Sequence, residues 1–186
     1  MSLIPAISKF ISSINTDTIS DNRKKKLQVF IDYIQAKTLV KEEIRLNFIC
    51  THNSRRSHLS QIWAQTLADY FQVKNVSCYS GGTEATAIYK SVIKSLEIQG
   101  FQLKKLSEAT NAVYQIKYSP VEFPIIAFSK KYNDSFNPET NYTAVMTCSD
   151  ADENCHLILE AEKRISFTFE DPKKSDNTPE ELQKYQ

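Results

Sequence analysis

Ile4, Ile7, Ile11 and Ile14 recur at three- and four-residue intervals, and Leu27, Phe30, Ile31 and Ile34 repeat the spacing. Residues 1 to 41 are therefore expected to form two amphipathic helices, separated by the polar stretch from Asp17 to Asp21. The pattern then changes. Leu46, Phe48 and Ile49 form a short apolar run typical of a buried strand, and Leu59, Ile62, Trp63, Thr66, Leu67 and Tyr70 return to helical spacing. A second strand near Val76 to Ser80 is followed by a helix near Ala87 to Gln99, closed by Gly100 at a C-cap position. This β-α-β-α order implies a parallel sheet with right-handed crossovers.

Further along, Tyr114, Ile116 and Tyr118 alternate with polar neighbours and an apolar run from Pro124 to Phe128 follows, which predicts a hairpin insertion within residues 112 to 132. Tyr142 to Thr147 reads as another strand. Near the end, Thr178-Pro179-Glu180-Glu181 is a helix start, with Thr as N-cap and Pro in the first turn. The expected organisation is a helical extension over residues 1–42 and a main α/β domain over 43–186. The extension has to cover its own domain or make a homodimer contact, since its apolar stripes need a partner, and packing on its own domain is favoured.

Composition narrows the function. The chain has 186 residues, 41% of them hydrophobic and 24% charged, enough to bury a sizeable core. A net charge of +1 gives no electrostatic reason for nucleic acid or an anionic membrane as partner. No segment approaches membrane-spanning length, and Lys9 interrupts the first apolar run too early for a signal peptide. The four cysteines are irregularly spaced and suggest no secreted disulfide scaffold, so a reducing, cytoplasmic setting is expected.

The candidate chemistry begins where the first strand ends, at Cys50-Thr51-His52-Asn53-Ser54-Arg55-Arg56-Ser57. A cysteine attacks as its thiolate, which needs positive potential close by; a helix opening beside Cys50 and the cation of Arg56 would provide it. Free N–H groups of the loop from Thr51 to Arg56 would face a bound anion, and the planar fork of Arg56 can hold two oxygens of a tetrahedral phosphate or arsenate. Ser57 offers a hydroxyl to the Cys50 sulfur, and Asn53 tolerates the positive φ that a loop without glycine requires. Cys148 and Cys155 lie seven apart, which fits no common zinc signature. No metal site is expected; two reduced structural cysteines or a redox pair remain.

The Cys-x-x-Asn-Ser-x-Arg-Ser core of Cys50 to Ser57 resembles the catalytic loop of low-molecular-weight protein tyrosine phosphatases and of the arsenate reductases built on that fold. Cys148-Ser149-Asp150-Ala151-Asp152-Glu153-Asn154-Cys155 resembles the two-cysteine segment of thioredoxin-coupled arsenate reductases, and Phe169-Glu170-Asp171-Pro172 the Asp-Pro acid motif of both groups. The resemblance implies a three-layer αβα fold with a four-stranded parallel sheet, here with the helical extension and the insertion added. It also implies roles: Cys50 as nucleophile toward arsenate, Asp171 as acid for the leaving oxygen, Cys148 as the thiol that attacks Cys50, and Cys155 as the thiol that carries the disulfide outward to thioredoxin. No bound cofactor is implied.

Two other functions stay open at this point: a phosphatase for phosphotyrosine or small phosphomonoesters, and a non-catalytic oxyanion-binding redox sensor. The chain departs from the family pattern at His52, where Gly is usual, at Arg55, where a small residue or Cys is usual, and at His156, where Pro is usual. Arg55 is expected either at the rim of the anion site or, by preference, pointing into water. His58 is expected at the surface, and Cys78 as a buried structural thiol. If residues 148 to 155 are helical, roughly 10 Å separates the two cysteine Cα atoms, so forming their disulfide would require that segment to unwind.

Overall fold

The structure, a computed structural model, describes residues 3–154 and 158–185; Cys155 and His156 lie outside the described residues. In chain order the elements are α1 (Pro5–Ser13), α2 (Asp21–Leu39), β1 (Ile44–Cys50), α3 (Arg56–Tyr70), β2 (Val76–Gly82) and α4 (Lys90–Ile98). They continue with β3 (Gln102–Lys105), β4 (Tyr114–Lys117), β5 (Ile125–Ala127), β6 (Tyr142–Met146), α5 (Ser149–Asn154), β7 (Ala161–Ser166) and α6 (Glu181–Tyr185). Strands β2-β1-β6-β7 form one four-stranded parallel sheet, and β3-β4-β5 a separate antiparallel one. Among the described residues no helix is long and apolar enough to cross a membrane.

Alternation along β1 divides the core. Leu46 and Phe48 face α2 and α3 with Val145 and Ile165, while Ile49 packs on the other face with Tyr142, Ala144, Met146 and Ala151 of α5. This gives the expected three-layer α/β architecture. The N-terminal helices pack on their own chain: Ile7 of α1 is fully buried beside Ile62, Val92 and Leu96, and Phe30 and Ile34 of α2 line the sheet face.

The insertion is larger than the sequence suggests, because β3 adds a third strand antiparallel to β4. Downstream of β5 the chain runs to the carboxyl ends of β1 and β2. There Asn47 and Asn137 side chains both donate to the Tyr132 carbonyl, and Gly82 bridges to Lys131. α4 stops in a Schellman motif: Phe101 N–H donates to Leu96 O, Gly100 N–H donates to Glu97 O, and Gly100 sits at φ +100°. α2 and α3 stop the same way with Lys41 and Gln72 at positive φ instead of glycine.

Candidate active site

The loop after β1 owes its shape to where its carbonyls go. Thr83 N–H donates to Cys50 O, Glu84 N–H to Thr51 O, Thr86 Oγ1 and Ser129 Oγ to His52 O, and Tyr89 N–H to Ser54 O. Every one of these acceptors faces the 83–89 segment or the insertion. The N–H groups of residues 52 to 55 have no acceptor among the described residues, which leaves these donors available to a tetrahedral anion. Gly82 makes the close packing possible: a Cβ there would lie 2.6 Å from Thr51 O and 2.7 Å from Asn53 N.

Asn53 adopts φ +43°, as the loop requires. Its side chain ties the loop to Cys50 through Ser57. Lys130 N–H donates to Asn53 Oδ1 at 2.8 Å, and a backbone N–H only donates, so the amide nitrogen is the atom turned toward Ser57. Asn53 Nδ2 donates to Ser57 Oγ at 2.8 Å, and Ser57 Oγ lies 3.1 Å from Cys50 Sγ. With an oxygen lone pair of Ser57 engaged by Asn53, its hydrogen is free to point at the sulfur and support a thiolate. Cys50 itself is 4% exposed.

Cys148 follows the neighbouring strand β6 and is fully buried in the same apolar cluster as Cys50. Its Sγ lies 3.5 Å from Thr51 Oγ1 and accepts from Ala151 N–H at 3.4 Å, in the first turn of α5. Cys50, Cys78 and Cys148 are all free thiols. Asp171 holds Arg56: Nη2 donates to Asp171 Oδ2 at 2.8 Å and Nη1 to Phe169 O at 3.1 Å. The same carboxylate accepts from Lys173 N–H at 3.0 Å, capping the short turn Pro172–Ser175. An anion on Arg56 would therefore share the guanidinium with Asp171. Beside this pair lies a groove of about 680 Å³ with apolar walls that include Leu59, Trp63, Phe169 and Pro172.

Two residues sit differently from expectation. Arg55 is neither solvated nor turned to the anion side: its Nε donates to Tyr185 OH at 2.6 Å and Nη2 to Asp176 Oδ2 at 2.5 Å, and it stacks on the Tyr89 ring. His58 is fully buried under the loop, with Nδ1 3.3 Å from Ser80 Oγ, and burial followed by the nearby Lys130 charge lowers its pKa to about 3. His52 is the exposed histidine of the loop, 3.7 Å from Glu84. Lys130 and Ser129 had no signal in sequence, because they lie in an ordinary polar run; yet Lys130 is buried, its Nζ lying over the Phe128 and Phe136 rings, and burial lowers its pKa to about 8. No group of metal-ligating side chains occurs among the described residues.

No protein-family model matches the chain. Among curated proteins it is similar to an arsenate reductase of Bacillus licheniformis, 26% identical over 138 residues, covering 72% of this chain and 78% of the relative. An arsenate reductase of Bacillus subtilis is 29% identical over 136 residues with the same coverage of each chain, and arsenate reductase 2 of Staphylococcus epidermidis is 28% identical over 126 residues, covering 67% and 76%. A solved thioredoxin-dependent arsenate reductase of Corynebacterium glutamicum aligns with 97% of this chain and 76% of its own at 18% identity, with a TM-score of 0.41. At 26–29% identity over two-thirds or more of its length, the chain is similar in sequence to bacterial arsenate reductases.

Proposed function

We propose that this protein is an enzyme that reduces arsenate to arsenite, with residues 43–186 as the catalytic domain. The observation that carries the reading is the loop whose Cys50, Thr51, His52 and Ser54 carbonyls are engaged by the 83–89 segment and Ser129, and whose N–H groups at 52 to 55 are left for an oxyanion beside Cys50. Cys50 thiolate attacks arsenic while Arg56 and the loop amides hold the oxygens, and Asp171 protonates the departing oxygen, forming a thiol–arsenate ester. Cys148 thiolate then attacks Cys50 sulfur; the electron pair of the breaking S–As bond stays on arsenic, arsenite leaves, and a Cys50–Cys148 disulfide forms. Cys155 attacks Cys148, releasing Cys50 as thiolate, and a dithiol protein of the thioredoxin type takes up the last disulfide by exchange. The burial of Cys50 and Cys148 in one cluster at the ends of adjacent strands supports the first exchange. The chemistry suits a cytoplasm that keeps thiols reduced.

One observation favours a second reading, phosphomonoester hydrolysis: the groove beside Arg56 and Asp171 has room for an organic group that arsenate lacks. One experiment separates the two. Arsenite production with thioredoxin, thioredoxin reductase and NADPH is measured beside para-nitrophenyl phosphate hydrolysis, in the native chain and in Cys148→Ser. Arsenate turnover that falls at least 100-fold in Cys148→Ser while any phosphate hydrolysis persists is the expected result. Phosphate hydrolysis alone, unchanged by the substitution, makes the protein a phosphatase.

A further inference from the structure

The loop carries two consecutive arginines, and one C-terminal stretch grips both. Arg56 is held by Phe169 O and Asp171, Arg55 by Asp176 and Tyr185. The Arg55 contact is a closed set: Tyr185 OH accepts from Arg55 Nε at 2.6 Å and donates to Asp176 Oδ1 at 2.6 Å, while Asp176 Oδ2 accepts from Arg55 Nη2 at 2.5 Å. The guanidinium carbon stands 4.0 Å from the centroid of Tyr89, which stacks in turn on Tyr185 at 5.8 Å. The far side is anchored as firmly. Ser95 Oγ donates to Tyr185 O at 2.7 Å, Glu181 accepts from Ser91 Oγ and Asn177 N–H, and Tyr185 is 3% exposed.

Arg55 is also the residue at which the loop turns into α3. Its φ of −132° and ψ of −88° lie outside the regular regions, and no side chain caps the helix there. Something has to hold that turn, and the backbone of the neighbouring Ser54 is pinned only through its carbonyl to Tyr89 N–H. We propose that Arg55 is a positioning residue: the segment from Asp176 to Tyr185 clamps its guanidinium and so fixes the anion loop and the direction of Arg56. This rests on the oxyanion-site reading above. A planar fork with donors on two sides suits this clamp, because Nε and Nη2 serve two acceptors at once while the face lies on an aromatic ring.

The test uses the full chain with inorganic phosphate as probe. Tyr185→Phe keeps the ring in its buried place and removes only the hydroxyl; Asp176→Asn keeps shape and removes charge. Phosphate affinity is measured by calorimetry, and labelling of Cys50 by anionic iodoacetate is compared with labelling by neutral iodoacetamide through peptide mapping. Both variants are expected to bind phosphate roughly tenfold more weakly and to lose the iodoacetate preference, with melting temperature nearly unchanged and KM for arsenate rising more than kcat falls. Asp176→Glu should recover part of the affinity. Phosphate binding and labelling ratios equal to wild type in both variants would overturn the clamp alone. Failure of the wild-type chain to bind phosphate or arsenate would overturn the oxyanion site, and the clamp with it.

Discussion

His58 links the loop to pH. Buried without charge beneath the first turn of α3, it has a folded-state pKa of about 3 against an ordinary value near 6.5. Above pH 7 the ring is neutral in both folded and unfolded chains and contributes no pH dependence. As the pH falls from 7 toward 5, the unfolded chain binds a proton that the folded one refuses, so stability is lost, by about 2 kcal/mol over that interval from this group. Urea unfolding at pH 7 and pH 5 should show this loss in the native chain and a correspondingly smaller one in His58→Gln; equal slopes would mean His58 is protonated when folded. The sequence placed this residue on the surface because nothing within helical reach pairs with it. Its partner Ser80 comes from the next strand, and Arg55 was misjudged for the same reason, its acceptors Asp176 and Tyr185 lying far along the chain. The grouping of Cys50, Asn53 and Ser57 was legible because the contacts among them span no more than seven residues of chain.

Elements were readable where burial imposes a period and obscure where it does not. β1, α3, β2 and β6 emerged from their apolar runs, and the C-cap role of Gly100 from its position. β3 went unseen because Gln102, Lys104 and Lys105 are exposed, so pairing with β4 rather than burial makes it a strand. The chain has three glycines, and helix stops fell partly to Lys41 and Gln72, residues that carry no such signal. α5 is the element on which the proposed relay bears. Its six residues rise about 1.5 Å each, roughly 9 Å in all, whereas a disulfide brings Cα atoms within roughly 7 Å. If the helix continued to Cys155, a bond from Cys148 to that residue would demand unwinding. Amides of α5 should exchange hydrogen at least tenfold faster in the oxidised protein than in the reduced one, with the parallel sheet unaffected; equal protection would remove the relay across α5.

At the scale of the molecule, the parallel sheet brings the candidate site together from distant parts of the chain: the loop 51–55 follows β1, Cys148 follows β6, and Asp171 lies beyond β7. Carboxyl ends of adjacent parallel strands are where such groups converge, which is why the fold class already indicated the site's place. What the class did not indicate is how the extension and the insertion are used. α2 supplies part of the cover for one sheet face, and the chain after β5 supplies Lys130 N–H to orient Asn53.

The strand order also governs the protein's own birth. β1 is an inner strand, with Phe48 opposite Ser80 on one side and Val145 on the other. During synthesis β2 emerges soon after β1, but β6 appears only once α4 and the whole insertion have been made. Until then the apolar strand that ends in Cys50 has one open edge, and the thiol lacks the neighbours that leave it 4% exposed in the finished protein. A ribosome-bound chain stalled before Tyr142 should accordingly be alkylated at Cys50 by iodoacetamide far faster than the released protein; matching rates would mean that the loop closes without β6. Cys50 is translated early and sheltered late, so its greatest exposure to oxidants falls in the interval before the sheet that buries it is complete.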